Sequence, residues 1–489
     1  MKMIQGRAVQ YLTAIAVSLA TASMGTYSGW PTPVLPKLAK NESNFPMSQD
    51  QIGWMLTSTA PGFMAGSFVT RFVSDALGRR TALLASSLPM TLGTVMVLSA
   101  TNAVMLYATK FLWGFGTGMI ANVATIYLAE IGDKDMRASL SIITRFTFNF
   151  GVLMVMAVGP FLSYAALNWS LLALPLCFLA SALWIPESPY YYLKEGRVNR
   201  ARQELSRLRG KTGDELENQL NELQADVQKE TRKSSSVWEL FSGKQYRKAI
   251  VIAAGLKVTQ ILTGTVTIQQ YLGLIITTAN MAISNSTSLI VFAAVRFVVS
   301  FMSSFFVDRV GRVSLLLYSY LGCGVTLSVV GYYFFYQSDS QKDEPWVFGS
   351  YLAFVCIILA NVISTVGFNS ITMVITAEIF PLNVKDVAMT TLNIFGGCLS
   401  MVVTKGYDFV KSAWGLYGVF WMFATIAFVG AIFSLFVVPE TRGKTLKEIQ
   451  VILQGELYEG TELNITKDLL PKNNIENGDV ELKTLNSKL

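Results

Sequence analysis

Twelve apolar runs follow one another along this chain, and most reach ~20 residues, the helix length that crosses about 30 Å of hydrocarbon. Their approximate limits are 9–29, 51–73, 82–100, 104–127, 138–162, 165–184, 248–276, 284–306, 314–336, 346–374, 388–410 and 414–438. Inside a bilayer every backbone amide needs a partner within the protein, so such runs are read as helices. Only 15% of the 489 residues are charged, against roughly 25% in a soluble chain. The sequence therefore predicts an all-α membrane protein with twelve transmembrane helices. Met1–Gln10 is short and polar, and the first apolar run is long enough to remain as an anchor, so no cleaved signal peptide is expected.

Lys and Arg in the short loops set the orientation. The loops after spans 2, 4, 8 and 10 hold Arg79, Arg80, Lys134, Arg137, Arg309, Arg312 and Lys385, whereas those after spans 5 and 7 hold no charge. Both ends of the chain are accordingly placed in the cytoplasm. The net charge of +7 is then mostly cytoplasmic Lys and Arg and gives no case for nucleic acid. There is no His, which removes His-based metal sites, Ser-His-Asp catalysis and a His proton relay. Cys177, Cys323, Cys356 and Cys398 all fall in apolar runs and read as small core residues. With no metal cluster, nucleophile–base pair or phosphate loop, an enzyme is not expected, nor any cofactor.

The chain is also duplicated. Ser74–Arg80 reads S-D-A-L-G-R-R between two apolar runs, and Asp308–Arg312 reads D-R-V-G-R in the corresponding place downstream. The Gly permits a tight bend, while acid and base can pair or cap helix ends. Glu130 has Arg137 seven residues on, Glu378 has Lys385 seven residues on, and P-E-S-P from Pro186 answers P-E-T-R-G from Pro439. These signatures divide the chain into a first six-helix bundle (1–186), cytoplasmic linker helices (187–247), a second bundle (248–440) and a cytoplasmic tail (441–489). The linker alternates Glu, Arg, Lys and Leu, as amphipathic surface helices do, and Gly455–Leu489 is polar and Asn-rich, a composition expected to be disordered.

Six charged signatures in this order resemble the sugar-porter family of the major facilitator superfamily, over roughly Tyr11–Ile449. The opening G-T-Y-S-G-W-P-T-P-V-L-P from Gly25 is most similar to its insect trehalose facilitators. The resemblance implies two pseudo-symmetric bundles, a site at the midplane between them, and alternating access. It also implies that Asp75, Arg79, Arg80, Glu130, Arg137, Glu187, Asp308, Arg312, Glu378, Lys385 and Glu440 form a cytoplasmic gate that holds the halves together in the outward-open state. The alternative is a set of helix caps and topology signals.

Polar stripes at helical spacing mark the candidate cavity: Lys257, Gln260, Gly264, Thr267 and Tyr271 in span 7; Asn361, Thr365, Asn369, Thr372 and Thr376 in span 10; Thr390, Asn393, Gly397, Ser400 and Thr404 in span 11. Hydroxyls and amides suit a sugar, because each donates and accepts; they also serve as glue between helices. By the resemblance, Gln260, Gly264 and Asn393 bind substrate, and the span-10 stripe adds Thr365 and Asn369 as candidate contacts. The family's usual span-7 motif is only half kept, since Ile261 and Val266 replace hydrogen-bonding residues. Span 10 lacks the family prolines and Trp, and Lys110 stands at the family Arg of span 4.

Three departures add charge. Arg145 and Arg296 occupy positions where related transporters have polar sugar contacts, and Lys257 lies three residues before Gln260. Counting 1.5 Å per residue from the loop motifs puts them ~12, ~18 and ~14 Å deep. Each cation there costs about 2.5–3.5 kcal/mol even on the lenient scale. They predict either an anion site or cations that bond helix carbonyls or a neutral polyol. Span 1 has no acid, which favours passive uniport over proton symport.

The expected function is thus facilitated transport of a sugar, trehalose or hexose, across the plasma membrane. The alternatives are transport of a small organic anion and a non-transporting sugar sensor. The expected partners are the small-molecule substrate and membrane lipid, without an obligate protein partner. Asn41, Asn168 and Asn285 are outward-facing N-x-[ST] sequons and candidate glycosylation sites.

Overall fold

The computed structural model describes residues 2–40, 45–132, 137–210, 213–232, 237–278, 284–307, 310–338, 346–381, 384–444 and 446–454. Among these residues the chain is helical and has no strand. The first half holds α1 (Lys2–Gly29) and α2 (Pro31–Ala39), which together make span 1, then α3 (Gln49–Thr57) and α4 (Thr59–Leu77), which make span 2. Spans 3 to 5 are α5 (Arg79–Leu98), α6 (Ala103–Ile131) and α7 (Arg137–Val158); α8 (Tyr164–Leu171) and α9 (Ala173–Ala182) make span 6. The helices α10 (Pro189–Lys194), α11 (Val198–Arg209), α12 (Asp214–Arg232) and α13 (Val237–Ser242) bridge to the second half. There α14 (Arg247–Leu262) and α15 (Thr265–Thr278) make span 7, α16 (Asn285–Val307) and α17 (Arg312–Ser338) spans 8 and 9, and α18 (Val347–Val366) with α19 (Phe368–Ile379) span 10. α20 (Lys385–Phe436) carries spans 11 and 12 and is followed by α21 (Leu446–Gln454).

Among the described residues nine helical stretches are long and apolar enough to cross a membrane. Three facts reconcile this number with twelve. α20 turns at Gly415, whose φ of 75° lies in the left-handed region, so it counts once for two spans. The apolar part of α7, Ile142–Val158, is a shorter stretch. α4 carries Arg71 and Asp75 and is not among the nine. The fold is the all-α major facilitator architecture. Rows such as Leu88, Leu92 and Val95 on α5 are apolar and exposed, the surface that hydrocarbon covers in a spanning protein.

Helices in lipid gain little from the hydrophobic effect against one another and pack instead through small residues. α4 reads Gly62-x-x-x-Gly66 and α6 reads Gly114-x-x-x-Gly118. A Cβ on Gly62 would stand 2.1 Å from the carbonyl O of Phe111, and one on Gly118 would stand 2.3 Å from that of Phe63. The two backbones touch, and no side chain can move to make room. α1 and α7 repeat the device, with Gly25 against the carbonyl of Phe148 and Gly151 against that of Ala22.

Spans 2, 6, 7 and 10, which read as continuous in the sequence, are each made of two helices, and in spans 7 and 10 a glycine marks the break. Span 7 breaks at Gly264, where φ is +72° and a Cβ would lie 2.3 Å from the Phe423 ring; only Gly fits. Span 10 breaks at Gly367, and the Ser319 hydroxyl accepts the freed N–H of Phe368 at 3.1 Å.

Gly118→Val should sharply lower the folded fraction seen by fluorescence size-exclusion chromatography. Gly406→Val, where nothing lies within 4 Å of an added Cβ, should leave it near wild type. Equal profiles for the two would show that the α4–α6 contact is not needed.

Candidate functional site

The charged motifs build two matching boxes, one in each half at the same end of the molecule. In the first, the Arg79 guanidinium pairs with Glu130 at 3.1 Å and donates to the carbonyl of Ser74 at 2.9 Å. The carboxylate of Glu187 accepts the backbone N–H groups of Arg79 and Arg80 at 2.9 and 3.0 Å, which caps the start of α5. Ser188 donates its hydroxyl to Glu130. In the second, Arg312 pairs with Glu378 at 3.3 Å, and Glu440 accepts the N–H groups of Arg312 and Val313 at 2.9 and 3.1 Å, capping α17. Thr441 donates to Glu378 at 2.6 Å. A carboxylate at a helix N-terminus meets both orphan N–H donors and the positive end of the dipole.

Around the first box, Asp75 takes Arg79 at 3.5 Å and Lys194 of α10 at 2.9 Å, while Arg80 donates to the carbonyl of Leu183 at 2.6 Å. Lys385 opens α20 at the same end. Asp308 and the side chain of Arg137 lie outside the described residues. The described ion pairs of the expected gate thus run within one half or the other, and Glu187 and Glu440 act as helix caps. Ser188 and Thr441 went unread in the sequence, although a hydroxyl residue follows the glutamate in both motif copies.

The halves meet at the other end. Thr32 on α2 donates to the carbonyl of Gln269 on α15 at 2.9 Å, and a Cβ on Gly273 would stand 2.0 Å from the Thr32 carbonyl. Ser48 caps α3 through a reciprocal box with Gln51, which fixes Asp50 and Gly53 against α20. Asp50 pairs with Lys405 at 2.9 Å, and the Lys405 ammonium lies 4.0 Å above the Trp54 ring. A Cβ on Gly53 would stand 1.9 Å from the Asp408 carboxylate, which accepts the Tyr271 hydroxyl at 2.9 Å. Tyr271 in turn stacks on Tyr407 at 4.0 Å. No local pattern in the sequence shows the Tyr271–Asp408, Thr32–Gln269 and Asp50–Lys405 contacts, whose partners lie 137 to 355 residues apart.

Between the two ends lie the central polar positions. Gln260 on α14 donates to the Asn369 amide oxygen at 3.1 Å, and the Gln260 Oε1 is buried without a hydrogen-bond partner. Asn393 and Thr365 are half-buried. Gly264 serves the backbone break, as described above. Arg145 is exposed, Lys257 and Arg296 are half-buried, and the Arg296 Nε is buried without a partner. Lys110, by contrast, is buried with its ammonium 4.5 Å from the Trp30 ring and 5.2 Å from Trp113. Many stripe hydroxyls return to their own helices: Thr376 bonds the carbonyl of Thr372, and Thr404 that of Ser400.

One sequon is corrected. Asn168 is fully buried and accepts the Trp30 indole N–H at 2.8 Å, so it is a packing residue that no glycan can reach. Asn41 lies outside the described residues, and Asn285 opens α16 half-buried.

The profile of the family "Sugar (and other) transporter" matches residues 8–453. The chain belongs to that family. Its members are transporters and not enzymes. Among its relatives is a facilitated trehalose transporter Tret1-2 homolog of Drosophila simulans, 30% identical, with 93% of each chain covered. Another is a facilitated trehalose transporter Tret1 of Bombyx mori, 27% identical over 91% of this chain and 86% of the relative. The chain spans about half the length of other relatives, such as the Tret1 of Drosophila erecta, 52% of which is covered. The fold is similar to that of the inward-open xylose transporter XylE from E. coli, with a TM-score of 0.74, 18% identity, and coverage of 91% of this chain and 99% of that one.

The caps give this sugar-transporter fold a pH signature. Burial works to raise the Glu440 carboxyl, but backbone N–H donors from Arg442, Arg312 and Val313, with the Arg312 charge, hold it below its usual 4.5. A depressed carboxyl stabilises the fold fully above its unfolded value and loses that contribution as pH falls through the folded value. Glu440→Gln should therefore melt below wild type at neutral pH, and the gap should close under acid, below about pH 4.5. Melting in detergent with a pH-independent gap would contradict this assignment.

Proposed function

We propose that the protein is a facilitative uniporter of a sugar, trehalose or a hexose, working by alternating access between its two halves. The observation that carries the uniport reading is in α1, which contains no acidic residue and no His. Downhill transport needs no titrating carrier. The Asp408 carboxylate already accepts Tyr271 at the outer end, and Glu130 and Glu378 are bound by Arg79 and Arg312 at the inner one. Trehalose is put first because relatives covering nearly the whole chain are named as trehalose transporters.

In this reading the Gln260–Asn369 pair contributes the first sugar contacts, since two amides retain free donors and acceptors for substrate hydroxyls. Thr365 and Asn393 line the same path, with the first bundle (1–186), the linker (187–247) and the second bundle (248–440) as its moving parts. The contacts at Thr32, Asp50 and Asp408 make the described state closed outside. The two cytoplasmic boxes, each complete within its half, form the inner gate, which joins when the outside opens. The protein would reside in the plasma membrane with cytoplasmic termini, and Asn41 and Asn285 remain candidate glycan acceptors.

Proteoliposomes holding the purified protein should take up labelled trehalose or glucose down its gradient at equal pH on both sides, with no alkalinisation outside. Uptake that requires an imposed proton gradient would overturn uniport.

Alternating access has its own check. The Asp50–Lys405 pair has an Asp that is 77% exposed, so it contributes about 0–1 kcal/mol and should be easily reversed. In a background without native cysteines, Thr32→Cys should be labelled slowly from outside by a membrane-impermeant maleimide. Adding Asp50→Lys sets two cations together and should speed labelling, while Asp50→Lys with Lys405→Asp should slow it again. Labelling indifferent to both changes would separate this contact from the outer closure.

A further inference from the structure

Among the described residues, these acids within and at the rims of the spans already have partners. Glu130 is held by Arg79 and Ser188, Glu378 by Arg312 and Thr441, Asp408 by Tyr271, and Asp50 by Lys405. Lys110 has two indole faces. Arg145, Lys257 and Arg296 take part in none of the described ion pairs. With Arg71 of α4, which also takes part in none of the described ion pairs, they are the cations left over at mid-membrane depth among the described residues.

They are placed around the path between the halves. α7 and α16 pack across the two halves: Ser300 donates to the Asn149 amide oxygen at 3.3 Å, and Phe146 meets Phe297 edge to face at 4.9 Å. Arg145 precedes Phe146, and its carbonyl accepts the Asn149 amide at 2.9 Å. Arg296 precedes Phe297 and lies one turn from Ser300. One arginine from each half therefore flanks the same contact. Arg145 is exposed, and a mid-membrane guanidinium cannot be left exposed to hydrocarbon, so it faces the hydrated side. Arg296 carries a buried Nε with no partner. Lys257 sits one turn before the Gln260–Asn369 pair, in room left by Gly396, where a Cβ would meet the lysine Cε at 2.8 Å.

A neutral sugar leaves this excess positive charge unmatched. A carboxylate would match it, accepting two parallel N–H bonds from one guanidinium, while the amides bind hydroxyls. We infer that the central site also takes polyols bearing a single carboxylate, the aldonates and uronates. This inference rests on the sugar-transport reading of the same site and adds a charged substrate class to it.

The test uses the full-length protein in proteoliposomes with membrane potential clamped at zero, and labelled glucose and labelled gluconate as separate probes. Gluconate should enter saturably, and unlabelled gluconate or glucuronate should inhibit glucose uptake. Arg296→Gln should lower the gluconate-to-glucose rate ratio about tenfold, the size of one lost charge-assisted hydrogen bond, and Arg296→Lys should restore most of it. If Arg296→Gln fails to fold, Lys257→Gln should shift the ratio in the same direction. Glucose uptake without gluconate uptake or competition would overturn the inference and leave the sugar reading standing. Gluconate uptake without glucose would uphold it against the neutral-sugar reading. Uptake of neither, with labelled trehalose also excluded, would sink both.

Discussion

A carboxylate that caps a helix begun by a glycine turn is the constraint on which each half of this protein depends. Glu187 follows span 6 and reaches back to the start of α5; Glu440 follows span 12 and reaches back to the start of α17. In each case an arginine at the capped start turns to a glutamate at the end of another span, and a hydroxyl residue closes the ring. Three segments distant in sequence are thereby fixed at one end of each bundle. The interior cannot supply this fixing, because helices in lipid lack a hydrophobic drive to associate. Close backbone contact at Gly62, Gly118, Gly25 and Gly151 does the rest.

The two ends of the molecule use different physics. The two glutamate–arginine boxes are buried and hydrogen-bonded on several sides, so removing one member strands another, at about 3–5 kcal/mol for a buried pair. They suit parts that stay rigid. The contacts at the opposite end join the halves through a hydroxyl on a carbonyl, a tyrosine on an aspartate, a glycine against that aspartate, and one exposed ion pair. Each is modest, with hydrogen bonds contributing roughly 1 kcal/mol net. A contact of this kind can open without dismantling either bundle.

Much of this was legible in the sequence. The apolar runs gave the helices, the duplicated acidic and basic signatures gave the two halves, and the resemblance gave the family. Other features were not, for identifiable reasons. Gly264 and Gly367 break their spans because of what surrounds them, Phe423 in one case and Ser319 in the other, and hydropathy is blind to a neighbour. Glu187 and Glu440 were read as gate charges, and their role as caps depends on where α5 and α17 start in space. Asp50 and Lys405 lie 355 residues apart, so no local pattern could join them. Asn168 fits a sequon by spelling alone, and burial beside Trp30 removes it.

The polar stripes show why composition of a span is a poor guide to what it binds. Thr259, Thr376, Thr391 and Thr404 return their hydroxyls to carbonyls one turn back, so much of their donor capacity is used inside the helix. What remains for a substrate includes the Gln260, Asn369 and Asn393 amides, the unpartnered Thr372 hydroxyl, and the guanidinium and ammonium groups of Arg145, Arg296 and Lys257. A Thr can satisfy itself within its own turn, whereas an amide has two donors and an acceptor, and a guanidinium has five donors and no acceptor. Selectivity in such a path is therefore governed less by the number of polar residues than by which of them are left with unmet bonds, and here those include the Gln260 Oε1, the Thr372 hydroxyl and the Arg296 Nε.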